Sequence, residues 1–221
     1  MKFQYYILLT LVSLCACAKT DLDDVVADGK GCIKQVATSP DAHAIAKAEQ
    51  AIAVRLFQQN GIDLSNLRFT RFIEEDLDLN GRTNHYVHVS AAQFGNGLPF
   101  LTGGIIYAFK DGKFTFLSGE LLTTTVDPKP VSSLAQVRSA FFTEFIKYEQ
   151  NSSFYKAKDF KDKCLTAELG YFTLRGGETQ PKSVLAWHVK PKDAEYPTAY
   201  INDRDNTIIY FFDGVWTLGP R

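Results

Sequence analysis

The apolar residues of this chain change period repeatedly, and that rhythm limits the possible folds more than any single motif does. Over "SPDAHAIAKAEQAIAVRLFQQNG", 39–61, Ile45, Ala48, Ile52 and Leu56 recur at helical spacing and draw one apolar stripe. Ser39 followed by Pro40 suits the start of a helix, and Asn60-Gly61 suits its end. His43 falls in the first turn, where a surface residue is the plainer reading than a ligand. From Leu67 the period drops to two. "LRFTRFIEEDL" and "RTNHYVHVSAAQF" alternate around "DLNG" and predict a hairpin, with a register that the Asp-rich connection leaves open. "GIIYAFKDGKFTFLSGEL" predicts a tighter hairpin: Asp111-Gly112 stands where a turn wants positive φ, and Ile105, Tyr107 and Phe109 share a face. After "TTTVDPKPV" a second helix follows, with Ser133 and Gln136 as a capping box and Leu134, Val137, Phe141, Phe145 and Tyr148 as its buried stripe. "CLTAELGYFTL", "SVLAWHVKP" and "TAYINDRDNTIIYFF" predict three or four more strands. The order is one α+β plan, loosely repeated.

The N-terminus carries an address. In "MKFQYYILLTLVSLCACAK", Lys2 precedes an apolar run over 3–14 that is shorter than the roughly 20 residues a membrane-spanning helix needs. That is the layout of a secretory signal peptide. Leu14-Cys15-Ala16-Cys17 resembles a bacterial lipobox, which predicts removal of residues 1–16 and acylation of Cys17. An ordinary cleaved signal with two incidental cysteines is the alternative. Residues 17–38 are acidic and small, and predict a solvated tether. Asp21, Asp23 and Asp24 after Lys19 are similar to signals that take some lipoproteins to the outer surface. The expected location is the bacterial cell envelope, lipid-anchored to the outer membrane or cell surface.

In that oxidising setting Cys32 and Cys164 are expected to pair, which in the chain-entropy model stabilises by about 4–5 kcal/mol. The alternative is that they lie too far apart to bond. With 24 basic and 25 acidic residues and no long basic run, composition argues against a nucleic-acid partner. The densest lysine stretch, "YKAKDFKDK", is interleaved with Asp159 and Asp162 and reads as a solvated face.

No constellation predicts catalysis, a metal or a cofactor. His85 and His88 are three apart on a predicted strand and point to opposite faces. His188, between Trp187 and Val189, reads as a structural histidine. Residues 76–81, "DLDLNG", match the opening of a calcium loop, but the twelfth position is Val87, and a hairpin turn accounts for the same residues. The glycine-rich "QFGNGLPFLTGG", 93–104, is followed by the strand "IIYAF", whereas a phosphate loop needs a helix N-terminus there. It reads as an architectural corner. Carboxylates converging from distant sequence stay outside this kind of reading.

"NHYVHVSAAQFGNGLPFLTGGIIYAFKDGK", 84–113, resembles the core of the fungalysin/thermolysin propeptide (FTP) domain, with His88, Gln93, Asn96, Gly97, Leu98, Pro99, Gly103, Gly104, Asp111 and Gly112 on its pattern. The helix at 134–148, "LAWHVKP" and "AYINDRDNTIIYFFDG" resemble the adjoining PepSY-type region. Thr102 adds a residue before the glycine pair, Asp205-Asn206 replaces an expected Thr-Gly, and no protease follows Arg221. The resemblance implies two tandem cystatin-like α+β halves, 39–126 and 127–221, each an antiparallel sheet curled around one helix. In that family these regions assist the folding of a zinc protease and inhibit it. The implied function is therefore non-enzymatic: a lipid-anchored binding protein acting in trans on a thermolysin-type protease. Trp216 and Leu218 in "DGVWTLGPR" are its candidate partner contacts, although closing the last hairpin is the plainer role for Trp216. The alternative is a structural or scavenging envelope lipoprotein that binds a peptide or small ligand.

Overall fold

Strict alternation along two long strands builds the first half. In a computed structural model that describes residues 31–79, 81–149, 156–174 and 182–214, β2 (Leu67–Leu79) and β3 (Arg82–Gly95) pair antiparallel. β5 (Ile105–Lys110) and β6 (Lys113–Ser118) complete the order β2-β3-β5-β6. One face carries Phe69, Val87, Val89, Ile105, Tyr107 and Phe109, and α1 (Lys47–Gln59) lays Ala53, Leu56 and Phe57 on it. The Phe57 ring lies 5.1, 4.6 and 5.5 Å from those of Phe69, Tyr107 and Phe109. The Asp-rich stretch is ladder, not connection: Asp76 stands opposite His85, Asp78 opposite Thr83 and Leu79 opposite Arg82. Asp111 and Gly112 have φ of 49° and 78°, as a tight hairpin turn requires.

Two expectations for this half are corrected. The first helix starts at Lys47 rather than after Ser39, because the intervening chain is spent on β2. The Ala44 N–H donates to the Phe69 carbonyl (2.8 Å), and His43 Nδ1 accepts the Phe69 N–H (3.0 Å) while its ring stacks on Phe69. The Glu49 carboxylate then accepts the Ala46 N–H (2.9 Å) and closes the new N-terminus. Of the predicted stripe, Leu56 is buried and Ile45 and Ile52 pack partly buried against the core, whereas Ala48 is exposed and Phe57, outside the predicted stripe, is buried.

The second half follows its sequence pattern more closely. α2 (Leu134–Glu149) begins with the predicted box, the Ser133 N–H donating to Gln136 Oε1 (2.8 Å) and the Gln136 N–H to Ser133 Oγ (3.3 Å). Val137, Phe141, Phe142 and Phe145 bury against β7 (Leu165–Leu174), β8 (Lys182–Pro191), β9 (Thr198–Asn202) and β10 (Ile208–Phe212). The α+β class with one helix on each sheet is as expected. The purely antiparallel second sheet and the tether to residue 38 are not. β1 (Ile33–Val36) joins the sheet, in the order β1-β7-β8-β9-β10, and runs parallel to β7.

Four residues are too few for a strand signal in sequence; position comes from the covalent link beside them. Cys32 and Cys164 are disulfide-bonded with Cα atoms 4.5 Å apart across 132 residues, and the Leu165 N–H donates to the Cys32 carbonyl (2.9 Å). Replacing both cysteines with serine is expected to lower the unfolding free energy by about 4 kcal/mol, read from urea melts of the oxidised protein and the variant. Amides of β1 should then exchange before those of β8.

Candidate functional site

The glycine-rich corner joins the halves. Asn96 and Gly97, with φ of 48° and 80°, turn the chain from β3 into β4 (Leu98–Pro99), which pairs back on β3. Gln93 is buried behind them and clamps three backbone groups. Its Nε2 donates to the Gly103 and Glu120 carbonyls (both 2.8 Å), and its Oε1 accepts the Leu122 N–H (2.9 Å). The chain then leaves its own sheet. The Leu101 N–H donates to the Tyr171 carbonyl of β7 (2.8 Å), and Phe100 forms a parallel bridge to Tyr171 and enters the core of the second half. Burying that ring contributes about 2 kcal/mol. Leu98, Leu122 and Val126 pack against the same core, so the packing does not divide at residue 126.

Gly170 makes this approach possible. A Cβ there would sit 2.5 Å from the Pro99 carbonyl oxygen and 2.8 Å from the Leu101 side chain. Gly170→Ala is expected to cost about 1–3 kcal/mol by forcing the corner off β7. The loss should appear in denaturant melts, with altered amide shifts at Phe100 and Leu101.

A buried carboxylate organises the entry to α2. Asp203 Oδ1 accepts the Trp187 indole N–H (2.8 Å) and the Ser132 N–H (3.1 Å), and Oδ2 accepts the Val131 N–H (2.8 Å). Ser132 Oγ donates to the Asp203 carbonyl. These bonds spend both carboxylate oxygens on architecture. The sequence pattern did not single out Asp203; the available signal was Trp187, whose buried N–H needs an acceptor.

The face of the second sheet opposite α2 is aromatic. Phe172, His188, Tyr200, Tyr210 and Phe212 form a row of rings across β7 to β10, at centroid distances of 5.0 Å (Phe172–Tyr200), 4.7 Å (His188–Tyr200), 6.3 Å (Tyr200–Tyr210) and 6.4 Å (Tyr210–Phe212). His188 Nε2 lies 2.8 Å from Thr198 Oγ1, and its ring is stacked within 12° of Tyr200. Burial, with Lys190 nearby, lowers its pKa to about 4. Burial also raises the Tyr200 hydroxyl, helped by Glu168 and Tyr210.

His85 and His88 do point apart. His85 has Nδ1 2.7 Å from Asp76 and Nε2 2.9 Å from Glu74, whereas His88 faces Glu75 at 3.7 Å. The Asp76 hydrogen bond is the main cause that raises the His85 pKa. Both of its ring nitrogens are thus engaged by carboxylates. Among the described residues no group of three or more His, Cys, Asp or Glu side chains is placed to hold a metal ion. Two cavities stand out. A groove of about 750 Å³ runs between α2 and β10, bordered by Ala140, Thr143, Lys147 and Ile208. A second, of about 440 Å³, lies at the joint between Gly103, Gly119, Leu122, Phe172 and Thr173.

Of the predicted site residues, Cys32 and Cys164 come together, while Cys17, Trp216 and Leu218 lie outside the described residues. No helix among the described residues is long and apolar enough to cross a membrane.

Fold and site together define an α+β protein of two helix-backed sheets, spliced through a glycine-rich corner. No family model and no curated protein matches the chain. Among solved structures it is similar to the Bacillus megaterium YpeB C-terminal domain, at 10% identity over 80% of this chain and 68% of that one, with a TM-score of 0.35. A likeness at that score carries no weight for function.

His188 makes stability depend on pH in one direction. Its folded pKa of about 4 lies below the usual 6.5, so as pH falls through 6.5 the unfolded chain takes up a proton that the folded one refuses. Its contribution is complete above pH 6.5, falls by up to about 3 kcal/mol between there and pH 4, and is level below that. His188→Gln should flatten the corresponding part of the profile, measured as the difference between wild-type and variant urea melts across that range.

Proposed function

We propose that this protein is a non-enzymatic binding module of the bacterial cell envelope, held by lipid at Cys17, which engages a secreted thermolysin-type protease in trans as inhibitor or folding helper. The observation that carries the binding role is the aromatic face of the second sheet. Tyr210 is 48% exposed, and its neighbours Tyr200, Phe172 and Phe212 are half-buried in a continuous row. Aromatic residues are enriched at interface cores, where Tyr and Trp combine large area with a polar tip. The class of partner comes from the resemblance of residues 84–113 to a protease propeptide. Trp216 and Leu218, which follow β10 in sequence, are proposed as further contacts.

The buried polar groups agree with a binder. Gln93 and Asp203 are committed to backbone and indole N–H groups. What the aromatic face offers a partner is shape and apolar area.

The test mixes the purified mature chain with each thermolysin-type protease secreted by its own source and follows both complex formation and peptidase activity. The expected result is saturable binding that slows the enzyme or raises its refolding yield. Tyr210→Ala should weaken binding by about tenfold or more while leaving the melting temperature nearly unchanged, since the side chain is half-exposed. If no such protease binds or changes its activity or refolding, the reading is wrong.

A further inference from the structure

We propose that His188 is the specificity-determining residue of the aromatic face: its Nδ1 accepts a hydrogen bond from a neutral aromatic donor, the indole N–H of a tryptophan or the hydroxyl of a tyrosine, on the docking protein. The proposal rests on the reading of that face as a binding surface and names what the surface selects. It does not require the partner to be a protease.

The ring is held so that one nitrogen is spent and the other is open. Nε2 lies 2.8 Å from Thr198 Oγ1. The one hydroxyl proton of Thr198 is directed at the Val189 carbonyl (3.3 Å), so Thr198 Oγ1 accepts the Nε2–H. The imidazole is uncharged at pH 7, because burial and Lys190 lower its pKa to about 4. A neutral ring with its proton on Nε2 keeps a lone pair on Nδ1. Among the described residues Nδ1 has no hydrogen-bond partner, yet it is not one of the buried atoms left unpaired, so it keeps surface that a partner reaches.

The surroundings decide which donor fits. Tyr200 stacks on the ring from β9 at 4.7 Å, and Phe172 lies 5.0 Å from Tyr200. A flat apolar body extends that row of rings, whereas a main-chain N–H or an aliphatic hydroxyl brings no ring to it. Lys190, two residues along β8 on the same face, repels a cationic donor. A carboxylate brings only acceptors to the Nδ1 lone pair. Glu168 stands opposite His188 on β7, and its Oε1 is taken by the Thr38 hydroxyl. A partner that covers the face without a donor leaves Nδ1 buried and unpaired, and that penalty discriminates against it.

The experiment uses the ¹⁵N-labelled full chain, with indole as the donor probe and 1-methylindole, which lacks the N–H, as its contrast. Multiple-bond ¹H–¹⁵N spectra at pH 7 should show the His188 proton on Nε2 and none on Nδ1. Indole is expected to move the His188 ring signals and to bind at least about threefold more tightly than 1-methylindole. His188→Phe keeps a ring in the row and removes the acceptor, so the preference for indole should vanish, an effect that a purely structural role would not produce. The proposal is overturned if the proton sits on Nδ1, if the two probes bind alike or leave His188 unmoved, or if His188→Phe still prefers indole. A protease that binds wild type and His188→Phe equally also overturns it, and leaves the protease reading standing. If no protease binds while the indole preference holds, the protease reading falls and the assignment of His188 is upheld.

Discussion

Strand β7 is where the N-terminal strand, the first half's corner and the second sheet meet. One edge pairs with β8 along its whole length, from Leu165 opposite Pro191 to Leu174 opposite Lys182. The other edge is divided between two segments that come from far earlier in the chain: β1 at its start, and Phe100 with Leu101 past its middle. An open edge at this place would be a template for unwanted pairing. Here it is closed in part by the chain's own N-terminal strand and in part by the first half's corner. That closure links the two hydrophobic cores: Phe100 belongs by sequence to one half and by burial to the other. The whole contact turns on the absence of a side chain at Gly170.

The propeptide-like pattern takes on a physical meaning in this light. Gln93 holds the corner and the chain after β6, Asn96-Gly97 and Asp111-Gly112 supply left-handed turns, and Pro99 presents the carbonyl that meets β7. These motif residues act on the backbone of their own chain. A pattern made of such residues reports how a chain folds and says little about what it touches. That is the physical reason a resemblance can indicate architecture while leaving the partner to experiment.

Much of the architecture was legible because it rests on local rules. The period-two runs became β2, β3, β5 and β6, the Ser133–Gln136 box began α2, and Asp111-Gly112 made its turn. The parts that escaped depend on contacts distant in sequence. β1 is four residues long and takes its place from a bond to Cys164. The start of α1 moved because Ala44 and His43 found better partners on Phe69 than a helical turn offered. For the candidate site, the cysteine pair could be named, but the role of Asp203 needed the indole of Trp187 and the amides of 131–132 in place. The aromatic face and the cavity at the joint are properties of strand order, which alternation alone does not specify.

The disulfide has a mechanical consequence. Cys32 precedes β1, so tension arriving along the N-terminal segment reaches a sulfur before it reaches any hydrogen bond of that strand. The load passes to Cys164 and into β7, which is paired with β8 over its full length, and four-residue β1 is spared from being peeled off. The bond works as a cable clamp: whatever pulls on the N-terminus pulls on the longest ladder of the sheet.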